Sequence, residues 1–280
     1  MNNVLRTLVL DNQVSLTLAD TTELVKEGAR LHRLDKDTAK TFGKTLSIMT
    51  FMSACLKGEK GEISLSVKGN GLGGEIGVSG NKALNIRGFI ENPTAQGSEE
   101  EVFGDDGSLT IIRDDGYARP FVGACAFPKE KGVDKAFEEY FRISEQLPTR
   151  IQTLVETDEN GKIAYSGVAV LQPLPFADEN AIEKTWTCDL AKLLRETKNT
   201  GVETSVEALF GKSETVWEIR SAQYKCNCSR EYLTKVLVSL GEAQMREIIE
   251  SDGAVRVHCH YCNTDYEFTE KDVDVVFPKE

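Results

Sequence analysis

The sequence predicts an α+β protein in three parts: an N-terminal sheet-and-helix core domain, a helical linker, and a small C-terminal domain closed by four cysteines. Three observations carry this. Between Val4 and Gln172, short runs alternate apolar and polar residues and are punctuated by Gly, Asn and Asp, the pattern of strands and tight turns. The stretch from Asp37 towards Cys55 is apolar at helical spacing and then nearly all round, which predicts a helix buried against a sheet. Finally, Cys226-Asn227-Cys228 and Cys259-His260-Tyr261-Cys262 form two close pairs about thirty residues apart. The predicted boundaries are 1–176 for the core domain, 177–222 for the linker and 223–280 for the cysteine domain.

Val4–Leu10 and Val14–Leu18 read as strands around an Asp11-Asn12 turn. Asp20 or Thr21 can cap a helix running to about His32, a histidine expected to be solvated or to face the helix dipole. Asp37 can cap the next helix, with Ala39, Phe42, Leu46 and Met49 on one face. Ile63, Leu65 and Val67 alternate as a strand. Gly69 to Gly74 spell a literal G-x-G-x-x-G, but they run into Glu75–Ser79, another strand. A dinucleotide site needs those glycines to open a helix, so the stretch reads as a hairpin turn or bulge. Ala83–Ile90 is the next strand, and Glu91–Gly107 reads as an acidic, solvated loop. Leu109–Arg113 and Pro120–Phe127 follow as strands. Val133, Ala136, Phe137, Tyr140 and Phe141 mark an amphipathic helix ending near Pro148. Ile151–Glu156 and Ile163–Gln172 pair across Asp158–Gly161, and Pro173 and Pro175 close the domain.

From Ala177 to Tyr224 there are nine acids and six bases and few large apolar anchors. Ile182, Trp186, Leu190, Leu193 and Leu194 make one helical stripe. Val206, Leu209 and Phe210 make a shorter one. Two modest helices on the larger domain are expected, near the low end of local stability. In the last part Ser229 can cap a helix bearing Leu233, Val236, Leu237 and Leu240. Met245, Ile248 and Ile249 suggest another. Val255–Val257 leads as a strand to Cys259, and Thr269–Asp272 resembles a capping box.

Cysteine pairs of this kind suit a tetrahedral Cys₄ zinc site, because four soft thiolates match the charge and geometry of zinc. The ligands predicted are Cys226, Cys228, Cys259 and Cys262, with His258 and His260 outside the set. A module this small buries too little surface to be stable unaided, so a purely structural zinc accounts for the pattern. The same thiolates are also the form that oxidants attack, and each pair is close enough in sequence to close its own disulfide. Cys55 and Cys125 are expected to be buried small hydrophobes. Cys188 lies in the linker, where it could be a further oxidant target.

The cysteine spacing resembles that of the redox-regulated bacterial heat-shock chaperones, the 33 kDa chaperonins. The neighbouring residues agree: Cys226 through Glu231, Leu240-Gly241, and Cys259 through Tyr266. Upstream, Tyr140-Phe141 with Ser144-Glu145-Gln146-Leu147-Pro148, and Asp20-Thr21-Thr22-Glu23-Leu24-Val25, match that family's middle segment and first helix. The likeness spans nearly the whole chain and is weakest from about Ala177 to Tyr224. Asn263 departs from the family's usual glycine, and asparagine tolerates the left-handed backbone better than most residues. The resemblance implies a non-enzymatic, ATP-independent holdase for unfolding client proteins. It implies one Zn²⁺ per chain in a reduced, inactive form. Oxidation would release the zinc, unfold the C-terminal domain and destabilise the linker. It implies a homodimer when oxidised and a monomer or weak dimer when reduced. The disulfides expected are Cys226–Cys228 and Cys259–Cys262, because short loops close at low entropic cost, although a C-x-C ring is strained.

Composition narrows the alternatives. The chain has 280 residues, 45 acidic and 33 basic side chains, and a net charge of −12. That argues against a nucleic-acid partner, which needs a basic face to release counterions. From Lys225 onwards the net charge is −4, against a zinc-ribbon regulator of nucleic acid. A thioredoxin-type C-x-x-C opens a helix in a βαβ unit, whereas Cys259–Cys262 follows a strand and enters a turn. No apolar run approaches the length of a membrane span, and the start lacks the pattern of a signal peptide, so a bacterial cytoplasmic location with reduced thiols is expected.

Overall fold

The computed structural model describes residues 3–116, 119–211 and 218–277. The ends of the outer predicted domains (Met1, Asn2 and 278–280) and residues 212–217 of the predicted linker lie outside this range. The chain divides into two units, Met1–Lys225 and Cys226–Glu280.

The first unit begins with hairpin strands β1 (Asn3–Val9) and β2 (Val14–Asp20). Leu10, Asp11 and Asn12 between them all carry positive φ. Helix α1 (Thr22–His32) follows, with Thr22 N–H donating to the Asp20 carboxylate at 2.9 Å. Helix α2 (Lys36–Ala54) has Asp35 as its N-cap, not Asp37. The Asp37 carboxylate instead accepts the Gly97 N–H at 3.2 Å. Fifteen of the nineteen α2 residues are buried. The buried Thr45, Ser47 and Thr50 keep their hydroxyls satisfied by donating to the carbonyls of Thr41, Gly43 and Leu46 one turn back.

Strands β3 (Glu62–Gly69), β4 (Ile76–Asn81) and β5 (Asn85–Ile90) come next. The predicted acidic loop contains a short helix, α3 (Glu99–Phe103). Its capping box is Ser98 with Glu101, and that S-x-x-E pattern stands in the sequence. The G-x-G-x-x-G stretch joins β3 to β4 as a turn and opens no helix. A Cβ on Gly71 would sit 2.4 Å from the Phe103 carbonyl carbon, so close approach to α3 accounts for that glycine. Strands β6 (Gly107–Asp114) and β7 (Phe121–Ala126) precede helix α4 (Val133–Tyr140), which runs on into a π-helical turn, Phe141–Glu145. Strands β8 (Arg150–Thr157) and β9 (Ile163–Pro173) complete the predicted set.

Three linker helices follow, not two: α5 (Glu179–Thr187), α6 (Leu190–Thr200) and α7 (Val202–Phe210). The single predicted stripe is cut at Cys188-Asp189, because the Asp189 carboxylate accepts the Lys192 N–H and starts a new helix. Ile182 and Trp186 are then 42% and 44% exposed. The anchors are Ala181, Cys188, Leu190, Leu193, Leu194 and Val206, packed on Val9, Val14, Leu16, Leu18 and Leu171.

After the linker, β10 (Glu218–Ser221) pairs with β1, and β11 (Gln223–Tyr224) pairs in parallel with β5. The sheets are β10-β1-β2-β9-β8 and β11-β5-β4-β3-β6-β7. The first core takes residues from α2 and from both sheets, so the predicted buried helix is the centre of this unit. β9 shows why its sequence is apolar on both faces: Val168 and Val170 face α2, while Ala169 and Leu171 join the core under the linker helices. His32 is buried, contrary to expectation. Its Nε2 lies 3.0 Å from the Tyr224 hydroxyl and its ring meets Phe42 edge-on. Cys125 and Cys188 are buried as small hydrophobes, but Cys55 caps α2 at the surface and is exposed.

Candidate metal centre

The second unit holds all four predicted ligands. Cys226 and Cys228 lie in irregular chain before helix α8 (Arg230–Val238), whose N-cap Ser229 accepts the Tyr232 N–H at 3.1 Å. Helix α9 (Glu242–Asp252) ends at Gly253, which is left-handed at φ +78. Strands β12 (Val255–Cys259) and β13 (Thr264–Phe268) form a hairpin, and helix α10 (Glu270–Val276) closes the unit with the expected Thr269–Asp272 capping box. Cys259 ends β12 opposite Thr264, and Cys262 sits in the turn. Asn263 takes φ +52 there, the left-handed conformation its side chain tolerates.

These elements pack around Leu237, Met245, Val255, Phe268 and Val273. That core is small, and it holds α8 and the hairpin so that both cysteine pairs converge. The four sulfurs lie within 4.8 Å of one another. Cys226 Sγ is 3.7 Å from Cys259 Sγ, and Cys228 Sγ is 3.1 Å from Cys262 Sγ. Tetrahedral thiolates at a Zn–S distance of about 2.3 Å would lie about 3.8 Å apart, so the cluster is near the size a bound ion needs. Four soft sulfur donors also suit zinc better than a hard cation. All four cysteines are half-buried, close enough to water for small solutes to reach.

The thiols differ in acidity. Burial pushes the Cys226 thiol well up, and burial also raises Cys262, to about 11. Burial opposes ionisation at Cys228 too, but hydrogen bonds from the Tyr266 hydroxyl and the neighbouring thiols outweigh it and bring that group down to about 7. The cluster thus contains one thiol, Cys228, brought down towards neutrality beside two, Cys226 and Cys262, that a cation would have to deprotonate. His258 and His260 stay outside the cluster. His258 Nδ1 is 2.7 Å from an Asp265 carboxylate oxygen, and the two imidazole rings meet edge-on at 5.0 Å.

Sequence reasoning missed two parts of the site. One is the second hairpin strand, although Tyr266 and Phe268 alternate after a clear turn. The other is Tyr266 itself, whose hydroxyl lies 3.4 Å from Cys228 Sγ. A lone tyrosine carries no sequence signal for that contact.

Fold and site together define an α+β protein with a cysteine-clustered C-terminal module able to hold a metal ion. The family described as Hsp33 protein matches residues 2–269. The chain belongs to that family. A 33 kDa chaperonin of Clostridium perfringens is 31% identical, over 97% of this chain and 90% of its own. One from Bacillus cereus is 31% identical, over 96% of each chain. The crystal structure of the Thermotoga maritima 33 kDa chaperonin superposes with a TM-score of 0.84 at 22% identity, covering 98% of this chain and 97% of that one.

Proposed function

We propose that this chain is a redox-regulated, ATP-independent chaperone that holds unfolding proteins under oxidative stress and catalyses no reaction. The observation that carries the proposal is the convergence of four half-buried thiols in a module with only a small apolar core. Family membership and the relatives' names support the chaperone role.

Zinc, when bound, cross-links the two cysteine pairs. Cys226, Cys228, Cys259 and Cys262 would hold it as thiolates, one ion per chain, in the reduced and inactive form. Oxidation to Cys226–Cys228 and Cys259–Cys262 disulfides takes away the thiolate charge that binds a cation, so the ligand set fails. Helices α8–α10 and the hairpin then lose the constraint that orders them. The linker helices, held by a handful of apolar side chains, would loosen next and bare the face of the five-stranded sheet. Val14, Leu16, Leu18 and Leu171, with the apolar faces of α5–α7, form the surface offered to clients. Burying that same surface drives dimerisation of the oxidised form, while the reduced form stays a monomer or weak dimer. The location proposed is the bacterial cytoplasm, and no helix among the described residues is long and apolar enough to cross a membrane.

The alternative is a zinc that only stabilises. Zinc stoichiometry and thiol count before and after peroxide, measured beside suppression of a client's thermal aggregation, separate the two. The switch predicts loss of zinc and of four thiols together with gained suppression. Equal suppression in both states, or zinc retained through oxidation, leaves the structural reading.

A further inference from the structure

The stretch from Tyr140 to Pro148 supplies nothing to the cysteine cluster, yet three of its residues line a cavity in the first unit. Phe141 and Glu145 come from the π-helical turn, and Leu147 follows it. The cavity holds about 400 Å³, enough for a small molecule. Met52 of α2 and Ile63 of β3 add apolar surface, and Cys55, exposed at the end of α2, stands at the wall.

Three cations also line the cavity: Arg6, Lys57 and Arg113. Arg113 has partners. Its Nη1 donates to the Glu145 carboxylate at 3.2 Å, and its Nε is 3.9 Å from an Asp115 oxygen. Among the described residues, no carboxylate comes within ion-pair distance of Arg6 or Lys57. Glu218, opposite Arg6 in the β1–β10 register, makes no ion pair with it. Arg6 is half-buried, where a charge gains more from a partner than it would in water. In a chain of net charge −12, two unpaired cations beside an apolar wall suit an anionic head on an apolar body.

We propose that this cavity binds a small amphipathic carboxylate, a medium-chain or aromatic monocarboxylic acid. Arg6 and Lys57 donate charge-assisted hydrogen bonds to the head. The body leaves water for the surface of Met52, Ile63, Phe141 and Leu147. No step involves the cysteine cluster, so the proposal stands or falls apart from the redox switch.

Cys55 reports occupancy, because a body lying on that wall covers its sulfur. The probe is octanoate. Reduced full-length protein is labelled with N-ethylmaleimide, an uncharged reagent, and peptide mass spectrometry reads the rate at Cys55 alone. For a ligand of this size, half-protection is expected at about a millimolar. At about four times that concentration roughly four-fifths of the cavities are filled, and labelling should slow roughly fivefold. Octanol and octylamine carry the same chain on a neutral and a cationic head, and should leave the rate nearly unchanged. That comparison needs no variant, so it holds even where a variant misfolds. Arg6→Gln with Lys57→Gln removes both donors and should raise the half-protection concentration roughly tenfold or more. Lys36→Gln with Lys162→Gln makes the same charge change outside the cavity and should leave it in place. No protection by octanoate at about 10 mM, equal protection by octanol or octylamine, or half-protection that moves alike in both double variants or in neither overturns the proposal.

Discussion

Removing the proposed zinc while every thiol stays reduced would separate ligation from oxidation. A chelator does this without touching sulfur. Among its described residues, the core of the C-terminal unit, Cys226–Glu280, is built on five buried apolar side chains larger than alanine. At about 1.5–3 kcal/mol each, these contribute about 8–15 kcal/mol of burial. Structural zinc in peptides of similar size is worth about 10–16 kcal/mol. The two contributions are comparable, while whole domains are stable by only about 5–15 kcal/mol. Losing one of them should therefore unfold the unit outright. Hydrogen exchange read by mass spectrometry should show α8–α10 and the β12–β13 hairpin exchanging at nearly unprotected rates after chelation. The strands around α2 should stay protected, because the described residues of their core all belong to the first unit. Restoring zinc should restore protection. If the zinc-free, fully reduced unit exchanges within about tenfold of the loaded one, a difference of only about 1.4 kcal/mol, the core suffices and the reasoning fails.

Three further outcomes follow. Peptide mapping of the oxidised protein should give Cys226–Cys228 and Cys259–Cys262, although the folded cluster sets Cys226 beside Cys259 and Cys228 beside Cys262, 33 and 34 positions apart. In an unfolded chain, closing those long loops costs about 2 kcal/mol more than closing the short ones, so predominance of either cross-pair would show that contact in the folded cluster, not loop entropy, sets the pairing. Leu193→Ala removes a linker anchor that is only 1% exposed and should cost about 2–5 kcal/mol. Residues 179–210 should then exchange faster in reduced, zinc-bound protein and some aggregation suppression should appear without oxidant, whereas unchanged protection would show that Leu193 is not an anchor. Asp134 tests pH: burial raises its carboxyl to about 6, against the pull of Lys44 and the Thr153 hydrogen bonds. With the folded value above the unfolded one, its contribution is intact below about pH 4 and is lost by about pH 6, a change of about 3 kcal/mol. The urea stability of Asp134→Asn relative to wild type should therefore rise across that window, and a flat difference would rule out the buried carboxyl.

The cysteine cluster was the most legible part, because two tight cysteine pairs in a short segment are the pattern from which four thiols can converge on one point. Helix α2 was legible for a related reason: apolar residues at helical spacing that become nearly continuous towards Cys55 fit a buried helix. The helix start at Asp189 was less so, since the N-cap that ends one helix and starts the next sits inside an unbroken apolar stripe. Helix α3 was readable in Ser98–Glu101, but the acidic run around it also describes a solvated loop. Burial of His32 depends on Tyr224, far along the chain, and no local pattern reports a contact of that range. Tyr266 beside Cys228 is the same case within the site: alternation puts a tyrosine on a strand, and only the folded hairpin aims its hydroxyl at a sulfur.

Strands β10 and β11 have a consequence for the linker. β9 enters the linker from the five-stranded sheet, and β10 leaves it as the edge of that same sheet. Roughly forty residues lie between them. The exit is secured further: the Arg220 guanidinium donates to the Ala54 and Lys82 carbonyls, the Lys225 N–H to Ile86, and the Tyr224 hydroxyl to Gly88. Helices that come off the sheet are therefore a loop stitched down at both hems, not a loose tail. Such a loop cannot drift from the face it uncovered, and its ends need not find each other again before it lies back down. Unravelling that started at Cys226 would meet this selvedge, the outermost strand of each sheet, before it reached the strands within, so the fabric behind it could open and close repeatedly without coming apart.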